Sequence, residues 1–383
     1  MQTTAQGWLV LELTDSPAML GFTSAVGTAP TLVLSLFAGV LADRIDRRRL
    51  LVSTQLAGSV LAALLALLTT TGLVEFWHVV VIAALVGSAQ ALGWPTFQAV
   101  VSTIVERPAI GNAIALNSAQ FNLGRMVGPT LAGAAIAAGG LAVAFWANAA
   151  ALLLVAAIIA SLRFESPAAL VRAEASLWAN LVDGITYLRH DPTLRVLVLL
   201  AAVPALFVLN YLALMPVYAR DVLGIGATGL GLLTGAVGAG ALVGALGVAL
   251  LRPAGGSGRL LLGGLSLAAG SLAVFAVSRE PALSLVALAV LGASQVGYYA
   301  TTNTLIQVLV PARLRGRVLS LYVLTSIGIM PVGNVLAGLV AERFGPTAAL
   351  AGGGLLTLAA VTVVIVRFPA LVALHASVRP EGG

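Results

Sequence analysis

The sequence predicts an all-α membrane protein of twelve spans, built as two related six-helix halves. Three observations predict it. The chain of 383 residues is 60% hydrophobic and 9% charged, with a mean hydropathy of +1.04; a soluble domain carries about 25% charge. Apolar segments recur at the roughly 20-residue length that crosses a bilayer. The basic residues, all 20 of them Arg, cluster in alternate loops. A net charge of +6 could suggest a nucleic-acid partner, but the loop-by-loop placement of the arginines assigns the charge to membrane topology and implies no nucleic acid. There are no cysteines, which excludes disulfides, thiol nucleophiles and iron–sulfur ligation. His78, His190 and His375 are far apart and suggest no metal site. Nothing resembles a cleavable signal peptide.

Full spans are read near 18–42, 50–71, 77–105, 112–137, 142–162, 193–218, 228–251, 260–278, 282–310, 318–342 and 347–368. Residues 1–14 form a twelfth, short one: at 1.5 Å per residue they cover about 21 Å of a core about 30 Å thick. They end at Thr14-Asp15-Ser16-Pro17, a turn and helix-start signal. The expectation is a chain that begins inside its first membrane helix, with the natural protein starting upstream of Met1.

The loops after spans two, four, six, eight and ten, with their flanks and the tail, hold 16 arginines; the opposite face holds Arg220, Arg279 and Arg343. The positive-inside rule then places both termini in the cytoplasm. The longest polar stretch divides the chain into an N-terminal bundle over 1–162, a cytoplasmic linker over 163–192, a C-terminal bundle over 193–368 and a tail over 369–383. In the linker, Leu177, Leu181, Ile185 and Leu188 recur at helical spacing, as in an amphipathic helix on the membrane surface.

The halves repeat. Gly128-Pro-Thr-Leu-Ala-Gly133 matches Gly333-Asn-Val-Leu-Ala-Gly338 at four of six positions, and the same offset of 205 pairs Gly111 with Gly316. Arg49-Leu50-Leu51 recurs as Arg259-Leu260-Leu261. Two related six-helix halves suit a transporter.

Residues 39–51 read Gly-Val-Leu-Ala-Asp-Arg-Ile-Asp-Arg-Arg-Arg-Leu-Leu. Gly39 fits a close helix crossing. Asp43 sits badly at the negative end of its own helix and well against the N-terminus of another, where it could lock two halves in one state. The plainer reading is that Arg44, Arg47, Arg48 and Arg49 hold the loop in the cytoplasm. The stretch resembles the loop signature of the major facilitator superfamily, whose gating motif would here be Gly39, Asp43, Arg44, Arg47 and Arg48.

The resemblance covers nearly the whole chain. More narrowly, Trp8-Leu-Val-Leu-Glu-Leu-Thr-Asp-Ser-Pro17, the 39–51 loop and Asn117–Gly133 resemble the drug:proton antiporter branch that includes the enterobactin exporter and macrolide efflux proteins. Gly124, Gly128, Pro129 and Gly133 are similar to the span-five motif of exporters, with Ala132 replacing a glycine. The second half departs from the pattern: it has Gly247, Arg252, Gly258 and Arg259 but no Asp. The resemblance implies the major facilitator fold and efflux by antiport.

Polar groups at membrane depth need a reason. Gln90, Trp94 and Gln98 share one helix face, as do Gln295, Tyr298, Tyr299 and Thr302 with Asn303 close by; span seven carries Asn210-Tyr211. Spans one, four, seven and ten line the cavity in the family, so the resemblance implies that these faces surround a substrate path. The plainer reading is interhelical hydrogen bonding, worth about 0.6 kcal/mol per pair. Arg125 lies midway along span five, at the costliest depth. Glu12 is about 13 Å away in depth by the same helical rise, so Arg125 is read as bonding amides such as Asn122 or facing a watery cavity. A structural role and an anion contact stand level.

No enzyme signature, cofactor motif or Walker loop is present, and Gly255-Gly-Ser-Gly258 lacks the following Lys-Ser/Thr. The expectation is a monomeric secondary transporter of the plasma (inner) membrane, exporting drug-like or siderophore-like small molecules in exchange for protons. An uptake permease for metabolites and a truncated, non-transporting remnant are the alternatives.

Overall fold

Pro and Gly punctuate the chain where its helices begin, bend and end. The structure, a computed structural model, describes residues 1–44, 46–105, 109–162, 177–250 and 256–374. The first half comprises α1 (Gln2–Thr14), α2 (Pro17–Arg44), α3 (Arg47–Thr71), α4 (Phe76–Ile104) and α5 (Ile110–Ser161). α5 holds two spans: it kinks at Gly139 and Gly140, the latter at φ 82°, ψ 178°, a region open essentially to glycine alone. After α6 (Leu177–His190), span seven is broken into α7 (Pro192–Leu200), α8 (Ala202–Phe207), α9 (Tyr211–Val217) and a π turn over Tyr218–Val222. α10 (Gly226–Leu250), α11 (Ser257–Val277) and α12 (Pro281–Leu309) follow. Span eleven is α13 (Ala312–Val323), a π turn over Leu324–Gly328 and α14 (Met330–Phe344); α15 (Pro346–Arg367) and the short α16 (Pro369–Val372) close the chain.

Among the described residues, nine helical segments are long and apolar enough to cross a membrane. One of them, α5, serves twice, and α2 at 28 residues adds a further crossing. The spans therefore fall where hydropathy put them, with α1 short. The lipid-facing surface is apolar: Val60, Leu64 and Leu67 on α3 and Val363 and Val366 on α15 all stand exposed. Water would penalise such stripes; hydrocarbon does not.

Proline explains the break in span seven. Pro204 has no N–H, and its ring opposes the Leu200 carbonyl. That carbonyl receives a long contact of 3.5 Å from the Tyr298 hydroxyl instead. Just beyond, the Val208 and Leu209 amides both turn back to the Pro204 carbonyl, at 2.9 and 2.8 Å. Thr325, in the π turn of span eleven, donates to Val198 O at 3.1 Å.

The linker helix α6 docks on α13, where Arg317 pairs with Asp183 at 2.7 Å. Leu188 is buried while Val182 and Ile185 stay exposed, so one edge of α6 grips protein and another faces outward. Burial, with Asp191 close by, pushes the Tyr187 hydroxyl up against the opposing pull of Arg313.

Two helix pairs join the N-terminal to the C-terminal elements: α2 with α14, and α5 with α10. Both seams are tight toward the arginine-poor face. A Cβ on Gly21 would stand 3.0 Å from Gly338 Cα, and one on Gly133 would stand 3.0 Å from Gly231 Cα. Gly133 and Gly338 are the repeat partners found in the sequence. The two seams are therefore equivalent by the same internal repeat.

Candidate substrate pathway

The tight ends of the seams are latched by polar contacts. Ser16 Oγ donates to Glu342 Oε2 at 2.9 Å, and the Ala18 amide donates to the same oxygen at 3.2 Å. Glu342 thus caps the N-terminus of α2 from another helix, where a carboxylate is favoured. Beside it, Arg220 pairs with Asp15 and donates to the Leu11 carbonyl at 3.3 Å, closing the C-terminus of α1. Exposed pairs of this kind contribute about 0–1 kcal/mol each. The glycine seams do most of the closing, and the ionic contacts fix the register.

The Gly133–Gly231 contact continues through Thr130 and Met126 to Gly238, which packs on Arg125 and Met126. Gly124 lies on another face of α5, where a Cβ would meet nothing within 4 Å. Between α2 and α14, close approach extends to Leu32 and Gly328. There Thr31, Leu32, Leu319, Ser320, Val323 and Gly328 border a separate hollow of about 250 Å³. Among the described residues, then, glycine contacts and polar latches close the molecule toward the arginine-poor face, and a hollow borders the seam between α2 and span eleven further toward the other.

Beneath the closed end lies a cavity of about 260 Å³. α1 contributes Thr3, Thr4, Gln6, Gly7 and Val10; α2 contributes Leu20, Thr23, Ser24, Gly27 and Thr28. The opposite wall is Leu212, Ala213 and Pro216 of α9, Leu230 and Thr234 of α10, and Met330 and Asn334 of α14. Ala83, Val86, Gly87 and Gln90 of α4 complete it. Of the side chains singled out in the sequence, only Gln90 lines this cavity.

Trp94 and Gln98 continue the Gln90 face of α4 toward the arginine-rich side, about 6 and 12 Å further on at the helical rise. Trp94 packs on Phe121 with ring centroids 4.8 Å apart, and Gln98 accepts from Asn117 Nδ2 at 2.8 Å. Arg125 lies with its guanidinium 5.9 Å from the Phe121 ring, close enough to Tyr211 and Tyr299 for its charge to act on both hydroxyls. Gln295 faces Tyr211 without closing a hydrogen bond, since the Tyr211 hydroxyl and Gln295 Nε2 are both buried without a partner. Trp94, Phe121, Arg125, Tyr211, Tyr299 and Gln295 thus form one cluster below the cavity.

Other expectations fall elsewhere. The nearest amide named for Arg125, Asn122, donates instead to the Ser118 carbonyl at 2.9 Å. Glu12 accepts from Trp8 Nε1 at 2.6 Å. Tyr298 turns into a buried cluster with Leu194, Leu197 and Leu261, because the carbonyl freed by Pro204 lies there. Asn210 sits 3% exposed in the break of span seven and donates to Leu206 O. Asn303 accepts from Gln307. Span ten contributes nothing to the cavity, whereas spans two, eight and eleven do. The sequence signal for the missed residues was present: Gln6, Thr23 and Asn334 are polar residues inside apolar helices.

In the 39–51 stretch, α2 ends at Arg44 and α3 starts at Arg47. Asp46 caps α3 by accepting from the Arg49 amide at 2.9 Å. Arg48 donates to the Ala160 carbonyl at the end of α5, and Arg47 opens α3. The side chains of Gly39, Asp43 and Arg44 lie outside the described residues, as do Arg252 and His375. In span five, Gly133 is buried at the seam, Gly124 is open, and Pro129 leaves the Arg125 carbonyl without its usual donor. No cluster of metal-ligating side chains occurs among the described residues.

Comparison with known proteins agrees with this architecture. Residues 1–380 match the MFS_3 family model, described as transmembrane secretion effectors. The chain is 29% identical over 351 residues to the multidrug efflux pump Tap of Mycolicibacterium fortuitum, covering 88% of this chain and 84% of that one. It is 29% identical over 131 residues to the staphyloferrin A transporter of Staphylococcus aureus (strain NCTC 8325 / PS 47), covering 34% and 33%. The crystal structure of a mutant of the nucleoside transporter NupG superposes with a TM-score of 0.79 at 12% identity, covering 96% of this chain and 94% of that one, a likeness of fold. The latched seams, the cavity beneath them and the match along the whole chain place this protein in the transmembrane secretion effector family of the major facilitator superfamily.

Proposed function

We propose that the protein is a proton-coupled exporter of amphipathic, drug-like or siderophore-like small molecules, not an enzyme, and that it acts as a monomer in the plasma (inner) membrane. The observation that carries this reading is the cavity between the halves, capped by two glycine seams at one end and leading to an aromatic and cationic cluster at the other. The bundles 1–162 and 193–368, joined by the cytoplasmic linker 163–192 and followed by the tail 369–383, rock about that cavity. The arginine-rich face, with both termini, is cytoplasmic by the positive-inside rule; the latched, arginine-poor face is then the outward one. The multidrug efflux pump and the siderophore transporter it resembles both support small-molecule cargo. Few membrane-embedded acids are available to carry the proton, and Glu12, Asp15 and Glu342 stand nearest the gate.

The test is transport in inverted membrane vesicles with an imposed pH gradient. Ethidium and a catechol siderophore should accumulate inside, and a protonophore should abolish the accumulation. Movement in the opposite direction would establish an uptake permease, and no flux of any compound would establish a non-transporting protein.

A further inference from the structure

Three buried, unpartnered polar atoms converge on the closed end of the cavity. Gln6 Nε2, Thr23 Oγ1 and Asn334 Oδ1 have no hydrogen-bond partner, in side chains 6%, 7% and 1% exposed. All three residues line the cavity, and they come from α1, α2 and α14. A buried polar group is costly unless it is paired. Three of them at one place, drawn from both halves, mark a position where a ligand completes the hydrogen bonding. The lining contains no charged residue; its remaining wall includes Val10, Leu20, Val86, Leu230 and Met330. The volume, about 260 Å³, lies below the roughly 300–1,000 Å³ of sites that hold a drug-sized molecule whole. Only one end of such a molecule fits.

We infer that the closed end receives the neutral, hydroxyl- or amide-bearing end of an amphipathic ligand and rejects charged ends, while the rest of the ligand runs along α4 to Trp94, Phe121 and Arg125. The inference rests on the transport reading of this cavity and names the chemistry of its cargo. The Gln6 amide donates to a ligand oxygen, a ligand O–H or N–H donates to Asn334 Oδ1, and the Thr23 hydroxyl serves in either role. An ammonium or sulfate head entering here would shed its water and find no counter-charge. One step toward the arginine-rich face, Arg125 and the aromatic rings suit an aromatic or anionic body. The ligand is therefore bipartite, and its neutral head goes in first.

The test uses the full chain in lipid nanodiscs and equilibrium dialysis of three 4-nitrophenyl probes that differ in the head: 4-nitrophenyl-β-D-glucopyranoside, 4-nitrobenzyltrimethylammonium and 4-nitrophenyl sulfate. The neutral glucoside should bind at least tenfold more tightly than either charged probe. Gln6→Leu, Asn334→Leu and Thr23→Val should each weaken it tenfold or more. A charged probe that binds as tightly, binding of none of the three, or a glucoside affinity indifferent to the substitutions (water alone then satisfying the three atoms) would overturn the inference. The wild-type comparison decides the head preference even where a variant fails to fold. Dialysis imposes no gradient, so a protein that binds the glucoside but moves nothing in vesicles loses the export reading and keeps this one.

Discussion

Ser16 and Glu342 meet across the seam between the halves, with Ser16 Oγ donating to Glu342 Oε2 at 2.9 Å. The carboxylate belongs to the last turn of α14 and reads the N-terminus of α2, the start of the helix that runs antiparallel beside it. Asp43 lies on the last turn of that same α2, and we propose that it meets the N-terminus of α13 when the arginine-rich face closes.

Glu342→Gln should loosen the closed arginine-poor face. An exposed carboxylate at a helix N-terminus contributes about 0.3–1 kcal/mol, so the population open on that face should rise two- to fivefold. Spin labels at Leu73 and Arg279 report it by pulsed electron resonance as growth of a longer distance. An unchanged distance distribution would show that the glycine seams alone set the closure.

Gly21→Val and Gly133→Val should act more strongly, and alike. Either side chain would collide with the backbone of the facing helix, Gly338 or Gly231, and overpacking costs about 1–3 kcal/mol. A cysteine at Val86 in the cavity wall should become reactive to an impermeant maleimide from the arginine-poor side in both variants. Strongly unequal effects would break the equivalence of the two seams.

Asp43→Asn should leave expression near normal and cut transport at least tenfold. Arg317, at the expected docking point, pairs with Asp183 in the state described. Cysteines at 43 and 317 should therefore cross-link only when the arginine-rich face closes. Full activity of the variant, or no cross-link in any state, refutes the contact.

Arg125→Gln should cut export of anionic compounds tenfold or more and spare neutral ones. The aromatic contact of Arg125 with Phe121 is worth about 0.5–1 kcal/mol, so melting should barely shift. Uniform loss of all transport with a clearly lowered melting temperature assigns Arg125 to helix packing instead.

The sequence by itself determined the spans, their alternation across the membrane and the repeat of the two halves. Those are written in local chemistry: roughly 20 apolar residues cover a bilayer, arginine stays on one side, and Pro17, Gly139-Gly140 and Gly345 punctuate the helices. It also singled out Gln90, which lines the cavity, because a polar side chain in hydrocarbon advertises its cost. What it could not determine was helix rotation and pairing. Tyr298 and Tyr299 are adjacent in sequence, yet one plugs the carbonyl that Pro204 released and the other stands near Arg125. Gln6, Thr23 and Asn334 lie far apart along the chain, and only the crossing of α1, α2 and α14 brings their unpaired atoms to one point. The repeat named Gly133 and Gly338 as equivalent; their partners Gly231 and Gly21 emerged only when the helices were laid side by side. In lipid the outward face of a span need only be apolar, so many rotations satisfy the hydropathy equally, and close packing at glycine together with polar pairing across the seam selects one of them.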